Sequence, residues 1–91
     1  MIPFFIFRIT MYTLYVLHSK SYDRYYVGYT NDITRRLSEH NRVKGKFTDK
    51  GIPWVLVYSE VYPSKKAAMD REKEIKRMKS RTYLIELTGS R

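Results

Sequence analysis

Three stretches rich in β-forming residues predict three strands. Two of them, residues 12–18 (YTLYVLH) and 24–29 (RYYVGY), stand close together near the start of the chain. The third, residues 54–62 (WVLVYSEVY), follows a basic loop that contains glycine and proline. β-Branched and aromatic residues dominate these stretches, and such residues favour the pleated, half-buried surface of a sheet.

The first two strands are predicted to pair as a hairpin. Residues 19–22 suit a turn, and if that turn closes His18 against Asp23, the antiparallel register sets Tyr15 opposite Tyr26. Both phenol rings then project from one face of the sheet. A slip of one residue would send one ring to the other face.

Three helices are predicted after the hairpin, and each begins after a residue that can cap it. A side-chain oxygen at this position accepts a hydrogen bond from a backbone N–H of the first turn. The first helix starts near residue 33, the second opens at residues 63 and 64, and the third runs to about residue 87. The predicted caps, in that order, are Asn31 or Asp32, Ser64 and Ser80.

A carboxylate interrupts the apolar face of the second predicted helix. At helical spacing that face comprises Ala68, Met69, Ile75 and Met78. Glu72 lies four residues after Ala68 and three before Ile75, so it falls inside the stripe. A carboxylate there must be paired, hydrogen-bonded or bound to a cation. Glu72 is therefore either a ligand of a divalent metal ion or the partner of a basic residue such as Lys76.

Charge indicates the class of partner. The 91 residues include 18 lysines and arginines against 9 acidic residues, a net charge of +9. Such an excess points to a polyanion, with nucleic acid the leading candidate and an anionic membrane surface the second. The residues predicted to contact phosphates are Arg35, Lys44, Lys46, Lys73 and Lys76. A solvated surface position is the alternative for each of them.

Four further residues have side chains that suit phosphodiester cleavage, which must deprotonate water and stabilise charge on the phosphate. Arg36 offers a planar guanidinium that holds phosphate at any pH. His40, one helical turn later, can relay a proton or bind phosphate. Tyr15 and Tyr26 can carry protons if nearby cations make their phenols more acidic. The alternatives are packing for the tyrosines and a solvated helix surface for Arg36 and His40.

Four segments carry these residues in a fixed order. They are Thr13-Leu14-Tyr15, Tyr26-Val27-Gly28, residues 33–41 (ITRRLSEHN) and residues 71–76 (REKEIK). In this order and spacing they resemble the GIY-YIG nuclease family, and closely its small single-domain bacterial branch, the UPF0213-like proteins. The first two segments stand at the family's tyrosine motifs, the third at its first helix and the fourth at its metal-binding helix.

The resemblance runs from residue 11 to about residue 88. It implies an α+β fold with a central three-stranded antiparallel sheet flanked by helices. It also implies metal-dependent endonucleolytic cleavage of DNA, with the family arginine at Arg36, the metal ligand at Glu72, and Tyr15 favoured over Tyr26 as the group that helps to deprotonate water. One carboxylate with mostly water ligands suits a single Mg²⁺ or Mn²⁺ ion.

A catalytically silent nucleic-acid-binding protein of the same fold is the alternative. Tyr29 stands where some larger members of the family carry a lysine. Many members also have an active-site asparagine on the helix after the metal ligand, and no asparagine follows Asn41 in this chain. Retention of the two motif tyrosines, the arginine and the carboxylate favours the enzyme. A basic protein that docks on an acidic protein or a membrane is a third interpretation, but it gives no reason for a carboxylate in an apolar stripe.

Domain organisation is predicted to be simple. Residues 11–91 form one domain, and residues 1–10 (MIPFFIFRIT) read as an N-terminal extension too short to span a bilayer. The chain has no cysteine, which excludes a disulfide framework and fits a cytoplasmic location. With no separate DNA-reading domain, sequence specificity is expected to be low or to come from an accessory protein.

Overall fold

A three-stranded antiparallel sheet is the centre of the computed structural model, which describes residues 11–89. The strands are β1 (Tyr12–Ser19), β2 (Arg24–Thr30) and β3 (Val55–Tyr62), in the spatial order β2-β1-β3. The helices are α1 (Ile33–His40), α2 (Lys65–Met78) and α3 (Arg81–Thr88), with a 3₁₀ turn at Phe47–Gly51. The predicted α+β architecture is confirmed. Residues 1–10, the predicted extension, lie outside the described residues.

The predicted hairpin register is wrong by two residues. Tyr15 pairs with Gly28 and Leu17 with Tyr26, so Tyr15 and Tyr26 are diagonal neighbours and not direct partners. The turn lies one residue later than predicted, because Ser19 still belongs to β1 and Asp23 completes the turn with a left-handed backbone (φ 54). A shift of two residues preserves the face on which each side chain lies. Both rings therefore remain on the same face.

Alternate residues of β1 supply the cores of both faces of the sheet. Leu14 and Val16 are fully buried against α2, where they pack with Ile75. Tyr15 and Leu17 are buried on the opposite face, which α1 covers. Because β1 is the central strand, both clusters are anchored on it, and the position of Tyr15 depends on the packing of both faces.

The predicted caps are present, with Asp32 and not Asn31 capping α1. The side chains of Asp32, Ser64 and Ser80 each accept a hydrogen bond from the backbone N–H three residues later. Met78 departs from its predicted place in the apolar face, because its side chain is half exposed. It is the last residue of α2, where the chain turns away through the left-handed Lys79. Within residues 11–89, no helix is long and apolar enough to cross a membrane.

Candidate active site

A hydrogen-bonded set of three side chains forms the centre of the candidate site. The phenol oxygen of Tyr15 lies 3.1 Å from Nε2 of His40, and Nε of Arg36 donates to the same phenol oxygen over 3.4 Å. Since the phenol oxygen accepts from Arg36, the phenol O–H is free to donate to His40. α1 supplies Arg36 and His40 at a spacing of one helical turn, which brings both side chains to the buried tyrosine of β1.

Gly28 makes room for the Tyr15 phenol. It is the cross-strand partner of Tyr15, and a Cβ atom at this position would lie 2.6 Å from the Tyr15 hydroxyl oxygen and 2.8 Å from the ring carbon that bears it. Real Cβ contacts do not come this close, so a side chain here would displace the ring. The glycine of the second tyrosine motif therefore has a direct steric role in positioning the tyrosine of the first.

Tyr26 completes an aromatic wall beside this set. Its ring stacks on Tyr15 with centroids 6.4 Å apart, and its centroid lies 4.5 Å from the His40 ring and 6.2 Å from the Trp54 ring. Tyr15, Tyr26, Arg36 and His40 therefore meet at one place.

Burial and nearby cations set the protonation states. Burial lowers the pKa of His40, and the positive charges of Arg36 and Lys44 lower it further, to about 4. Burial raises the pKa of Tyr15, although its hydrogen bond from Arg36 opposes that shift. At neutral pH the imidazole is therefore uncharged and the phenol keeps its proton, which fits donation from Tyr15 to Nε2 of His40.

Glu39 holds the guanidinium of Arg36 from the solvent side. Its carboxylate lies 3.0 Å from Nη1 of Arg36 and 3.0 Å from Nη1 of Arg35. The hydrogen bond from Arg36 is the main cause of the lowered pKa of Glu39. The Arg36 side chain is still about one third exposed, so part of its fork can meet a ligand.

A basic cleft of about 500 Å³ opens in front of these residues. Its lining includes Tyr26, Arg36, Glu39, His40, Arg42, Lys44, Lys46 and Thr48. Two of the predicted phosphate contacts, Lys44 and Lys46, therefore share a cleft with the predicted catalytic residues. This cleft is called the catalytic cleft below.

Two short-range networks hold the basic loop of the catalytic cleft. The Asp49 carboxylate accepts hydrogen bonds from the backbone N–H groups of Lys44, Gly45 and Lys46. The Asn41 side chain accepts from the Trp54 backbone N–H over 2.6 Å and donates to the Trp54 carbonyl over 3.0 Å. The loop is thereby tied to the end of α1 and to the start of β3, which keeps its lysines at the cleft.

Glu72 lies on α2, with its side chain 18% exposed. Its charge is a minor influence that raises the pKa of Tyr15, and Glu72 is not among the residues that line the catalytic cleft. Nζ of Lys76 lies 3.2 Å from the carboxylate, so the ion pair considered from the sequence is present. Because Lys76 is more than half exposed, that pair is open to solvent and can be exchanged for another cation.

The donor set at Glu72 suits a hard divalent ion bound largely through water. Among the described residues, no group of three or more His, Cys, Asp or Glu side chains is arranged to hold a metal. A divalent ion bound to this single carboxylate would keep most of its ligands as water.

The remaining predicted phosphate contacts lie outside the catalytic cleft. Arg35 pairs with Glu39 and also donates to the Asn31 side chain. Lys73 lines a separate groove on α2 with Asp70, Arg71 and Arg77. Lys76 lies beside Glu72 and lines a further cleft between α2 and α3.

Sequence reasoning missed several residues that build the site. Gly28 and Asn41 lie within motif segments, but the sequence gives neither of them a structural role. Asn41 and Trp54 act through a contact between residues 13 positions apart, which no local pattern reveals. Arg42 was one of many basic residues, and only the folded loop places it at the catalytic cleft.

Comparison with known proteins identifies the family of this chain. Residues 11–84 match the GIY-YIG catalytic domain, so the chain belongs to the GIY-YIG family. Such a domain indicates a nuclease, a hydrolase that acts on DNA, and nucleases of this family generally use divalent metal ions.

Within that family the chain is similar to UPF0213 proteins. It is 43% identical over 67 residues to one from Streptococcus pneumoniae, covering 72% of this chain and 67% of the relative. It is 47% identical over 61 residues to one from Streptococcus pyogenes, covering 66% of each. The solution NMR structure of a UPF0213 protein from Bacillus halodurans matches with a TM-score of 0.55 and 30% identity, over 87% of this chain and 83% of that one.

Proposed function

We propose that this protein is a divalent-metal-dependent endonuclease that hydrolyses DNA phosphodiester bonds with little sequence specificity. The observation that carries the proposal is the hydrogen-bonded set of Arg36, Tyr15 and His40, in which Arg36 and His40 line a basic cleft and Tyr15 is buried behind them. A phosphate-binding guanidinium and a path for a proton meet at a surface that can accept a polyanion.

Tyr15 works as a relay in this proposal and not as a preformed phenolate. Its pKa is raised by burial, so it holds its proton in the resting protein. It can take a proton from an attacking water as its own proton passes to Nε2 of His40, 3.1 Å away. A bound phosphodiester adds negative charge beside His40, which raises the pKa of the imidazole and makes it a better acceptor.

Arg36 serves both binding and chemistry. It is charged at any pH, and its long 3.4 Å bond to Tyr15 leaves Nη groups that can turn to a phosphate oxygen in exchange for Glu39. Charge that builds on the phosphate during attack strengthens that contact. Lys44 and Lys46 hold the neighbouring phosphates along the loop.

Glu72 is the proposed metal ligand. A divalent ion bound there would stabilise negative charge on the phosphate and on the departing oxygen. The carboxylate would exchange its partner Lys76 for the ion, which requires little rearrangement because the lysine is exposed.

Low sequence specificity is proposed from the chemistry of the lining. The cationic groups of the catalytic cleft suit phosphates, which carry no base identity. Affinity should therefore fall steeply with salt and vary little with base sequence. An accessory protein is the proposed source of any sequence preference.

A nicking assay on supercoiled DNA tests the proposal. The parent protein should nick in Mg²⁺ or Mn²⁺ and not in a chelator. The Glu72→Gln variant keeps the shape of the side chain and removes its charge, so it should bind DNA at least as tightly and lose cleavage by a factor of about 10² or more. Parental cleavage by Glu72→Gln would assign the activity to another site or to a contaminant.

A silent DNA-binding protein is the second candidate, and the Glu72–Lys76 ion pair favours it. If that pair is permanent, the carboxylate is never free for a metal ion. Titration with Mn²⁺ distinguishes the two, since Mn²⁺ should bind the parent and bind Glu72→Gln more weakly. Salt-dependent DNA binding with neither cleavage nor Mn²⁺ binding would favour the silent protein.

A further inference from the structure

A second basic cleft lies between α2, α3 and β2, and it is called the α2–α3 cleft below. Its volume is about 350 Å³. Its cationic lining consists of Arg24, Lys76, Lys79 and Arg81. Its apolar lining consists of Val27, Ile75 and Leu84.

Two of these cations already have carboxylate partners, and two do not. Arg81 pairs with Asp23 over 2.6 Å, and Lys76 pairs with Glu72 over 3.2 Å. Neither Arg24 nor Lys79 takes part in an ion pair within residues 11–89. The α2–α3 cleft therefore keeps an excess of positive charge, which suits a ligand with repeated negative charges.

The two clefts lie on opposite faces of one edge strand. Tyr25 and Tyr26 are consecutive residues of β2, so their side chains project to opposite faces. Tyr26 lines the catalytic cleft, and Tyr25 lines the α2–α3 cleft. Since β2 is at the edge of the sheet, a chain that occupies both clefts has only to pass round this strand.

The stiffness of the ligand decides which nucleic acid can take that path. Duplex DNA has a persistence length of about 150 base pairs and cannot turn round a single strand of a small sheet. A single strand is flexible enough to do so, and proteins bind it through positively charged grooves. We propose that the α2–α3 cleft binds a single-stranded segment continuous with the strand held in the catalytic cleft. This rests on the proposed function in that the ligand is a nucleic acid held in the catalytic cleft.

Fluorescence anisotropy in a chelator tests the proposal without cleavage. The probes are a blunt duplex of about 12 base pairs and the same duplex with a single-stranded tail of about 15 nucleotides. The parent should bind the tailed probe about tenfold more tightly, with a steeper salt dependence. The Arg24→Gln/Lys79→Gln variant should lose that advantage, and its log–log salt slope on the tailed probe should fall by about 1.4.

The matched control removes the same charge elsewhere. Lys65→Gln/Lys66→Gln changes two exposed lysines at the start of α2 that line neither cleft, and it should retain the advantage of the tail. The proposal is overturned if the parent gains nothing from the tail, or if the Arg24/Lys79 variant keeps the gain, while the blunt duplex still binds. If the parent binds neither probe, the proposed function fails as well.

Discussion

The two faces of the sheet each carry a cluster built from tyrosine, arginine and a further ionisable group, and the two clusters are organised differently. On the face that packs against α2, the Glu60 carboxylate accepts from Arg71 Nε over 2.9 Å, from Arg71 Nη2 over 3.1 Å, and from the hydroxyl groups of Tyr58 and Tyr62. Arg71 is also paired with Glu74. Every group in this closed network has its partner inside the protein.

The cluster on the α1 face is open. Tyr15 receives one long hydrogen bond from Arg36 and makes one to a neutral His40, and both Arg36 and His40 line a basic cleft. Similar side chains therefore serve two purposes. The saturated network fixes α2 on the sheet, and it includes the residue immediately before Glu72. The unsaturated set retains the capacity to bind a ligand and move a proton.

Removal of the arginine of the open cluster should slow cleavage, whereas removal of an exposed arginine that belongs to neither cluster should not. Arg36→Ala should slow cleavage by about 10³ and weaken DNA binding, because the phosphate contact also serves the transition state. Arg77→Ala, an exposed arginine on α2, is the control and should cleave within about twofold of the parent. Single-turnover rates and binding isotherms measure both effects. Equal rates for Arg36→Ala and the parent would contradict the assignment.

The closed network should dominate stability. Glu60→Gln breaks a partly buried ion pair that is bonded on both oxygens, and it should cost about 3 kcal/mol of unfolding free energy. Urea unfolding at neutral pH measures this loss. If the Glu60→Gln protein is as stable as the parent, the network does not hold α2 on the sheet.

Acid should weaken the two clusters in separate pH windows. The pKa of His40 is lowered from 6.5 to about 4, so its contribution to stability is complete above pH 6.5 and is lost as the pH falls towards 4. This loss should be on the order of 3 kcal/mol. Burial would raise the pKa of Glu60, but hydrogen bonds from Arg71, Tyr58 and Tyr62 outweigh it and lower the pKa to about 2. Its contribution is lost only below pH 4.5.

Variants separate the two windows. His40→Gln should flatten the stability profile between pH 6.5 and 4 and leave the more acidic part unchanged. Glu60→Gln should flatten the stability profile below pH 4.5 and leave the part between pH 6.5 and 4.5 unchanged. Urea unfolding at several pH values checks both, and a His40→Gln profile parallel to that of the parent above pH 4.5 would refute the burial argument.

A methyl group at Gly28 should disturb the open cluster alone. Gly28→Ala places a Cβ against the Tyr15 ring and should slow cleavage about tenfold, with a stability loss of about 1–2 kcal/mol. The closed network lies on the other face, so Glu60→Gln should cost the same stability in either background. If Gly28→Ala cleaves at the parental rate, the steric role assigned to Gly28 is wrong.

The elements of the fold were predictable because their signals are local. Caps such as Asp32 and Ser64 act within one turn, and the strands follow from short runs of β-forming residues. The hairpin register was not predictable to the residue, because it depends on the left-handed conformation of Asp23. The prediction that Tyr15 and Tyr26 share a face survived the two-residue error in register, because side chains alternate between faces with a period of two.

The site was predictable only in part. The hairpin predicted that Tyr15 and Tyr26 share a face, and helical spacing predicted that Arg36 and His40 lie one turn apart, but only the packing of α1 on the sheet brings the two pairs together. The neutral state of His40 was not predictable, because it results from burial in the folded protein and from the charges of Arg36 and Lys44. The Glu60–Arg71 network was missed because its members are 11 residues apart, on different elements, and were counted separately as a strand residue and a basic helix residue.

Two matched phenols, one from each cluster, test the central claim most directly. Cleavage rate and unfolding free energy are measured on Tyr15→Phe and Tyr58→Phe, each of which loses only a hydroxyl group. The account predicts that Tyr15→Phe cleaves about 10² more slowly and binds DNA as before, whereas Tyr58→Phe cleaves at the parental rate and loses about 1 kcal/mol of stability. Parental cleavage by Tyr15→Phe, or an equal loss of cleavage in both variants, would contradict it.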